Sequence, residues 1–166
     1  MRFKHLARLS GLPLILTLVF GLSLLVSPLR AKGQLDIVAK FFNAGIELDV
    51  ATYHDPTASG RNKIGLLGIA EGSARNSYAF DKEVEYAALF ALWTKARQAQ
   101  ADTWTVVGSL KENGTNDAAT IILMAGQGVK FTISDSHHAT LTYVLARADL
   151  DRFENALNRV KDFISN

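Results

Sequence analysis

Apolar and polar positions alternate with a two-residue period over three stretches of the chain. Ile46, Leu48 and Val50 are interleaved with Glu47, Asp49 and Ala51, and Val129, Phe131 and Ile133 with Lys130 and Thr132. Leu141, Tyr143 and Leu145 follow the same rule. Each stretch has the signature of a half-buried strand. Lys63–Ala70 (KIGLLGIA) is apolar on both faces, as in a central strand, and Ala118–Ala125 (AATIILMA) is a continuous apolar run, which predicts a strand covered on both sides. The two glycines inside the first run mark a place where another backbone comes close. Trp104, Val106 and Leu110 fall on one face of a strand over Thr103–Lys111, and Asn113-Gly114 then supplies the positive φ angles of a hairpin turn. Gly126-Gln127-Gly128 turns the 118–125 run into the strand at Val129. Leu35–Phe42 fits either a first strand or a short helical turn, and Gly72-Ser73-Ala74-Arg75 reads as a polar loop before a helix.

Two segments carry helical spacing. The first runs from Asp81, a capping residue, to Ala99, with Glu83 and Glu85 placed favourably at the positive end of its dipole. It is apolar around most of its girth: Val84, Tyr86, Ala88, Leu89, Phe90, Leu92 and Trp93 span more than the stripe one sheet needs. The second starts at Asp149 and lines up Leu150, Phe153, Leu157, Val160 and Ile164 on one stripe, with charges opposite. The expectation is an α+β fold of order βββα-ββββα, with six to seven strands in one or more antiparallel sheets and two helices. Ala44–Val50 can be laid over Gln127–Ile133, which sets His54 opposite His137 and suggests a pseudo-twofold duplication of a sheet-plus-helix unit. That layout is similar to the architecture of Whirly and PUR-type repeat proteins, although no sequence motif of either family is present.

The start of the chain is different in kind. Arg2, Lys4, His5 and Arg8 precede the apolar run Leu12–Val26, followed by Ser27-Pro28-Leu29-Arg30-Ala31. A basic, apolar and small-residue order is that of a secretory signal peptide over residues 1–31. The alternative is an uncleaved anchor over 12–29, at the bottom of the spanning range. The first reading predicts export to the periplasm or the medium; the second, attachment to the inner membrane. Either way residues 32–166 form a single α+β domain with no other expected membrane contact. The leader also owns the excess of basic charge. Arg2, Lys4, Arg8 and Arg30 are four of the 18 Lys+Arg and no acid accompanies them, which leaves 14 bases against 16 acids, a formal net charge of −2. That balance lacks the electrostatic footprint of a nucleic-acid binder. The absence of cysteine excludes thiol catalysis, cysteine-ligated metal and disulfides.

Candidate chemistry concentrates at two turns, Tyr53-His54-Asp55 and Asp135-Ser136-His137-His138. If the loops meet, His54, Asp55, Asp135, His137 and His138 can hold a divalent metal or act as an acid–base set; the ordinary reading is a pair of surface turns. No other cofactor is implied. Gly72-Ser73 lacks the strand–elbow–helix context of a serine nucleophile. Tyr86, Phe90, Trp93, Trp104 and Tyr143 are candidates for a ligand pocket or an interface, and helix 81–99 for a protein partner or self-association. The favoured reading is a non-enzymatic exported binding protein. The alternatives are a His/Asp metal-dependent hydrolase and, disfavoured by export and charge, a Whirly- or PUR-like nucleic-acid module.

Overall fold

The computed structural model describes residues 33–57, 62–112, 118–135 and 139–166. The elements are β1 (Gln34–Asn43), β2 (Ile46–His54), β3 (Lys63–Glu71), β4 (Ala74–Phe80), α1 (Glu83–Gln98), β5 (Thr105–Lys111), β6 (Thr120–Ala125), β7 (Gly128–Ser134), β8 (Leu141–Ala146), a 3-10 turn (Arg147–Asp149) and α2 (Leu150–Ser165). The fold is α+β, as the alternation predicts. The expected six to seven strands become eight, in two four-stranded antiparallel sheets ordered β1-β2-β3-β4 and β5-β6-β7-β8. The order is therefore ββββα twice. The extra strand is β4, read above as a polar loop. Its inward positions are Asn76, Tyr78 and Phe80, so the alternation opens on a buried polar residue and hides itself. Leu35–Phe42 is a strand, part of β1.

The eighth strand also corrects the overlay of the two halves. Ala44–Val50 leads into β2, the second strand of its sheet, whereas Gln127–Ile133 lies on β7, the third. The proposed match is one strand out of step. Three finer expectations change too. Val107 bulges out of the β5–β6 ladder, so Val106 turns outward, 61% exposed, while Leu110 faces the core. In β6 only Ile121, Leu123 and Ala125 are buried; Ile122 and Met124 are half-buried on the outer face. The N-cap of α1 is Lys82 without a side-chain bond, and the backbone N–H of Asp81 is taken instead by Glu85, 2.9 Å away.

Each helix crosses over. α1 follows the first sheet but packs on β5, β6 and β7, and α2 follows the second sheet but packs on β1, β2 and β3. The helices also touch one another, so one core is shared by both halves. At its centre Trp93 of α1 meets Phe131 of β7 at 6.2 Å and Phe153 of α2 at 4.6 Å between ring centroids. The α2 stripe is confirmed: Leu150, Phe153, Leu157 and Val160 are buried. Gly65 in β3 makes room for it, because a Cβ there would sit 2.5 Å from Val160 and 2.4 Å from Phe80. The halves cap one another's sheet edges: Glu112 accepts the N–H of Ala79 on β4, and Arg152 of α2 donates to the Lys40 carbonyl on β1 at 2.8 Å. Among the described residues no helix is long and apolar enough to cross a membrane. Residues 1–31, with the 12–29 run, and Asn113-Gly114 lie outside the described residues.

Candidate functional site

The histidine turns come first. His54 is the last residue of β2, half-buried between Gln34 and Lys63. The Asp55 carboxylate accepts bonds from the backbone N–H and hydroxyl of Thr57, at 2.9 and 2.7 Å, which makes it a turn former. Asp135 follows β7, and His137 and His138 lie outside the described residues. No group of three metal-ligating side chains occurs among the described residues. Ser73 lies in the β3–β4 turn.

The aromatic candidates do not gather in one pocket. Trp93 is fully buried, with its Nε1 donating to Glu154 at 3.1 Å. The Tyr86 hydroxyl donates to Asn158 at 3.1 Å, and Phe90 stacks on the Tyr86 ring. Part of the surplus apolar surface of α1 therefore faces α2, through Tyr86 and Trp93, while Val84 and Ala88 stay exposed. Tyr143 is buried on the inner face of the second sheet. Trp104 lies apart, half-buried beneath the Lys130 ammonium at 4.5 Å.

A different set of residues converges on the outer face of the first sheet. Pairing register places Leu35, Ile37, Lys40 and Phe42 of β1 outward beside Glu47, Asp49 and Ala51 of β2. Leu66, Gly68 and Ala70 of β3, then Arg75 and Ser77 of β4, complete the face. Lys40 stands directly opposite Asp49; its ammonium bonds Glu47 at 2.6 Å and lies 3.5 Å from Asp49 Oδ1. The Arg75 guanidinium reaches in from the other side, 3.9 Å from each carboxylate. Asp49 is only 6% exposed, and its Oδ1 takes no hydrogen bond. Burial pushes the Asp49 carboxyl above the usual carboxylate range, and its bond with Glu47 adds to the rise. The Lys40 bond holds Glu47 below that range. The pair is thus split into one group that favours a proton and one that favours charge.

Around this cluster the face is apolar. Leu35 is 50%, Ile37 42% and Phe42 70% exposed. A recess of about 140 Å³ is lined by Leu35, Ile37, Asp49, Ala51, Leu66, Gly68, Arg75 and Ser77. Sequence reasoning passed over this site because Glu47 and Asp49 look like the ordinary wet face of a strand. Their cationic partners arrive from β1 and β4 through sheet register, which leaves no local spacing signal. In sequence, the chain matches no protein-family model and no curated protein.

Proposed function

We propose that this is a non-catalytic binding module, exported by its leader, whose partner surface is the outer face of the first sheet. The observation that carries the reading is the exposed lane of Leu35, Ile37 and Phe42 around the Lys40–Glu47–Asp49–Arg75 cluster. Contiguous exposed apolar surface rimmed by polar groups marks an interaction site. Two features favour binding over turnover. The acid pair is flanked by two cations, and the recess is smaller than the roughly 300 Å³ at which small-molecule pockets begin. The two ββββα halves are read as copies of one duplicated unit. Support comes from the reciprocal exchange of helices and from a bulge in each first strand, at Val38 and at Val107.

The test is the apparent size of the protein in an extract of its own host's exported fraction. Wild type is expected in an assembly larger than the monomer. Leu35→Asp/Ile37→Asp is expected at monomer size with an unchanged melting temperature. Identical elution of the two proteins contradicts the reading.

A further inference from the structure

A second groove lies away from that face, along the edge of β1. Val38 and Ala39 form one wall, and the other is a single stripe on the last helix: Asp151, Arg152, Asn155, Ala156 and Arg159, preceded by Ala148. Its volume is about 420 Å³. The stripe from 148 to 159 extends about 16 Å, the length of roughly five residues of extended chain. Among the described residues β1 pairs only with β2, so the main-chain groups on its other side belong to no ladder. The bulge at Val38 breaks the ladder on the inner side as well. A strand edge flanked by a helix offers main-chain bonds on one side and side-chain contacts on the other, the arrangement in which extended peptides add to a sheet.

The charge of the groove selects the peptide. Asp151 is already bound by Arg97. Arg152 is anchored: it donates to the Lys40 carbonyl, with its guanidinium 4.6 Å from the centre of the Phe41 ring. Arg159, about two turns further along, makes no such bond among the described residues and stays exposed. The apolar part of both walls is made of small side chains: Val38, Ala39, Ala148 and Ala156.

We propose that this groove docks an extended peptide segment of alternating small apolar and acidic residues, added as a fifth strand on β1, with Arg159 receiving an acidic side chain. The site is distinct from the outer face of the first sheet, so either can fail without the other. The probe is an acetylated, amidated octapeptide of four Glu-Val repeats, titrated into the folded protein and followed by amide NMR shifts and hydrogen exchange. Binding is expected to protect amides in Gln34–Ala39. Arg159→Glu is expected to weaken it at least tenfold, and Arg75→Glu, on the other face, to leave it unchanged. A Lys-Val octapeptide should bind at least tenfold more weakly to wild type. Failure of the Glu-Val peptide to bind at millimolar concentration overturns the proposal. So does binding that ignores Arg159, or shifts confined to Glu47, Asp49, Leu66 and Ser77 on the outer face with no protection of the β1 amides. Arg159 is solvent-facing, so its variant should fold; an unchanged melting temperature confirms that the loss is at the groove.

Discussion

The two sheets share a topology and differ in which face carries polarity. Inside, the second sheet is apolar: Ile121, Leu123, Val129, Phe131, Ile133, Leu141, Tyr143 and Leu145 all turn into the core. The first sheet places Thr52 and Asn76 on its inner face, and Asn76 reaches across to donate to the carbonyls of Ile133 and Ala139 at 2.9 and 2.6 Å. Outside, the second sheet shows hydroxyls and lysines around Ile122, Met124 and, among the described residues, a single strongly exposed apolar residue, Val106, with Thr132 and Thr142 bonded at 3.1 Å and Lys130 over Trp104. The first sheet shows the acid pair, its two cations and the exposed apolar lane. Inner faces are constrained by packing against the exchanged helices. Outer faces are free of that constraint, and there, among the described residues, the first sheet alone carries a cluster of two acids and two cations.

The largest effect should come from the residue that joins both halves. Trp93→Ala removes contacts with Phe131 and Phe153 together, and should cost roughly 3–5 kcal/mol in urea unfolding. Val106→Ala, on the outer face of the second sheet, should change stability by less than about 0.5 kcal/mol. Equal losses would mean that the halves do not share one core.

Asn76→Ala leaves the Ile133 and Ala139 carbonyls without their donor and should cost about 1–3 kcal/mol. Thr132→Val, which breaks only the outer Thr132–Thr142 bond, should cost less. A reversed ranking in chemical denaturation would break the inner-face comparison.

Alkali probes the buried phenols. Burial above all pushes Tyr78 and Tyr86 from 10.0 up to about 12. Both favour the neutral form when folded, so their stabilising contribution is complete below pH 10 and is lost between pH 10 and about 12. Tyr86→Phe should flatten the fall in melting temperature across that window. A profile identical to wild type would show that Tyr86 does not titrate with unfolding.

Within the outer-face cluster two conservative changes should have opposite signs at neutral pH. Asp49 is raised, so the folded state disfavours its charged form; its contribution is lost as pH rises through the raised value, and Asp49→Asn should raise the melting temperature. Glu47 is lowered, so its contribution is present above the ordinary glutamate value and lost as pH falls through the depressed one; Glu47→Gln should lower the melting temperature. Shifts of the same sign would contradict the split of the pair.

The smallest effect is at the β1–β2 turn. Ala44 is at φ 49 and Gly45 at φ 82. A left-handed alanine is strained, so Ala44→Asn should stabilise by roughly 0.5–1 kcal/mol. A lower melting temperature would show that the turn is held by other contacts.

What the sequence revealed follows the same division. The α2 stripe from Leu150 to Val160 was legible because a helix on one sheet repeats its apolar positions at helical spacing. The excess apolar girth of α1 was legible as well, but the surface it meets, α2, was not, because nothing local announces a crossed-over helix. Strand β4 was hidden by Asn76, a polar residue inward for the sake of carbonyls 57 and 63 residues away. The bulge at Val107 put Val106 on the wrong face, since a period-2 reading assumes an unbroken ladder. The Lys40–Glu47–Asp49–Arg75 cluster is assembled from three strands by register alone, so its residues become a site only once the strands are paired.

The central claim is that the outer face of the first sheet, and not that of the second, meets a partner. It is tested most directly by placing a photo-crosslinking residue at Ile37 in one protein and at Thr132 in another, each irradiated in its native compartment. A discrete higher-mass adduct is expected from position 37, lost when Arg75→Glu disturbs the cluster beside it, and none from position 132. Adducts from 132 alone, or equally from both, would contradict it.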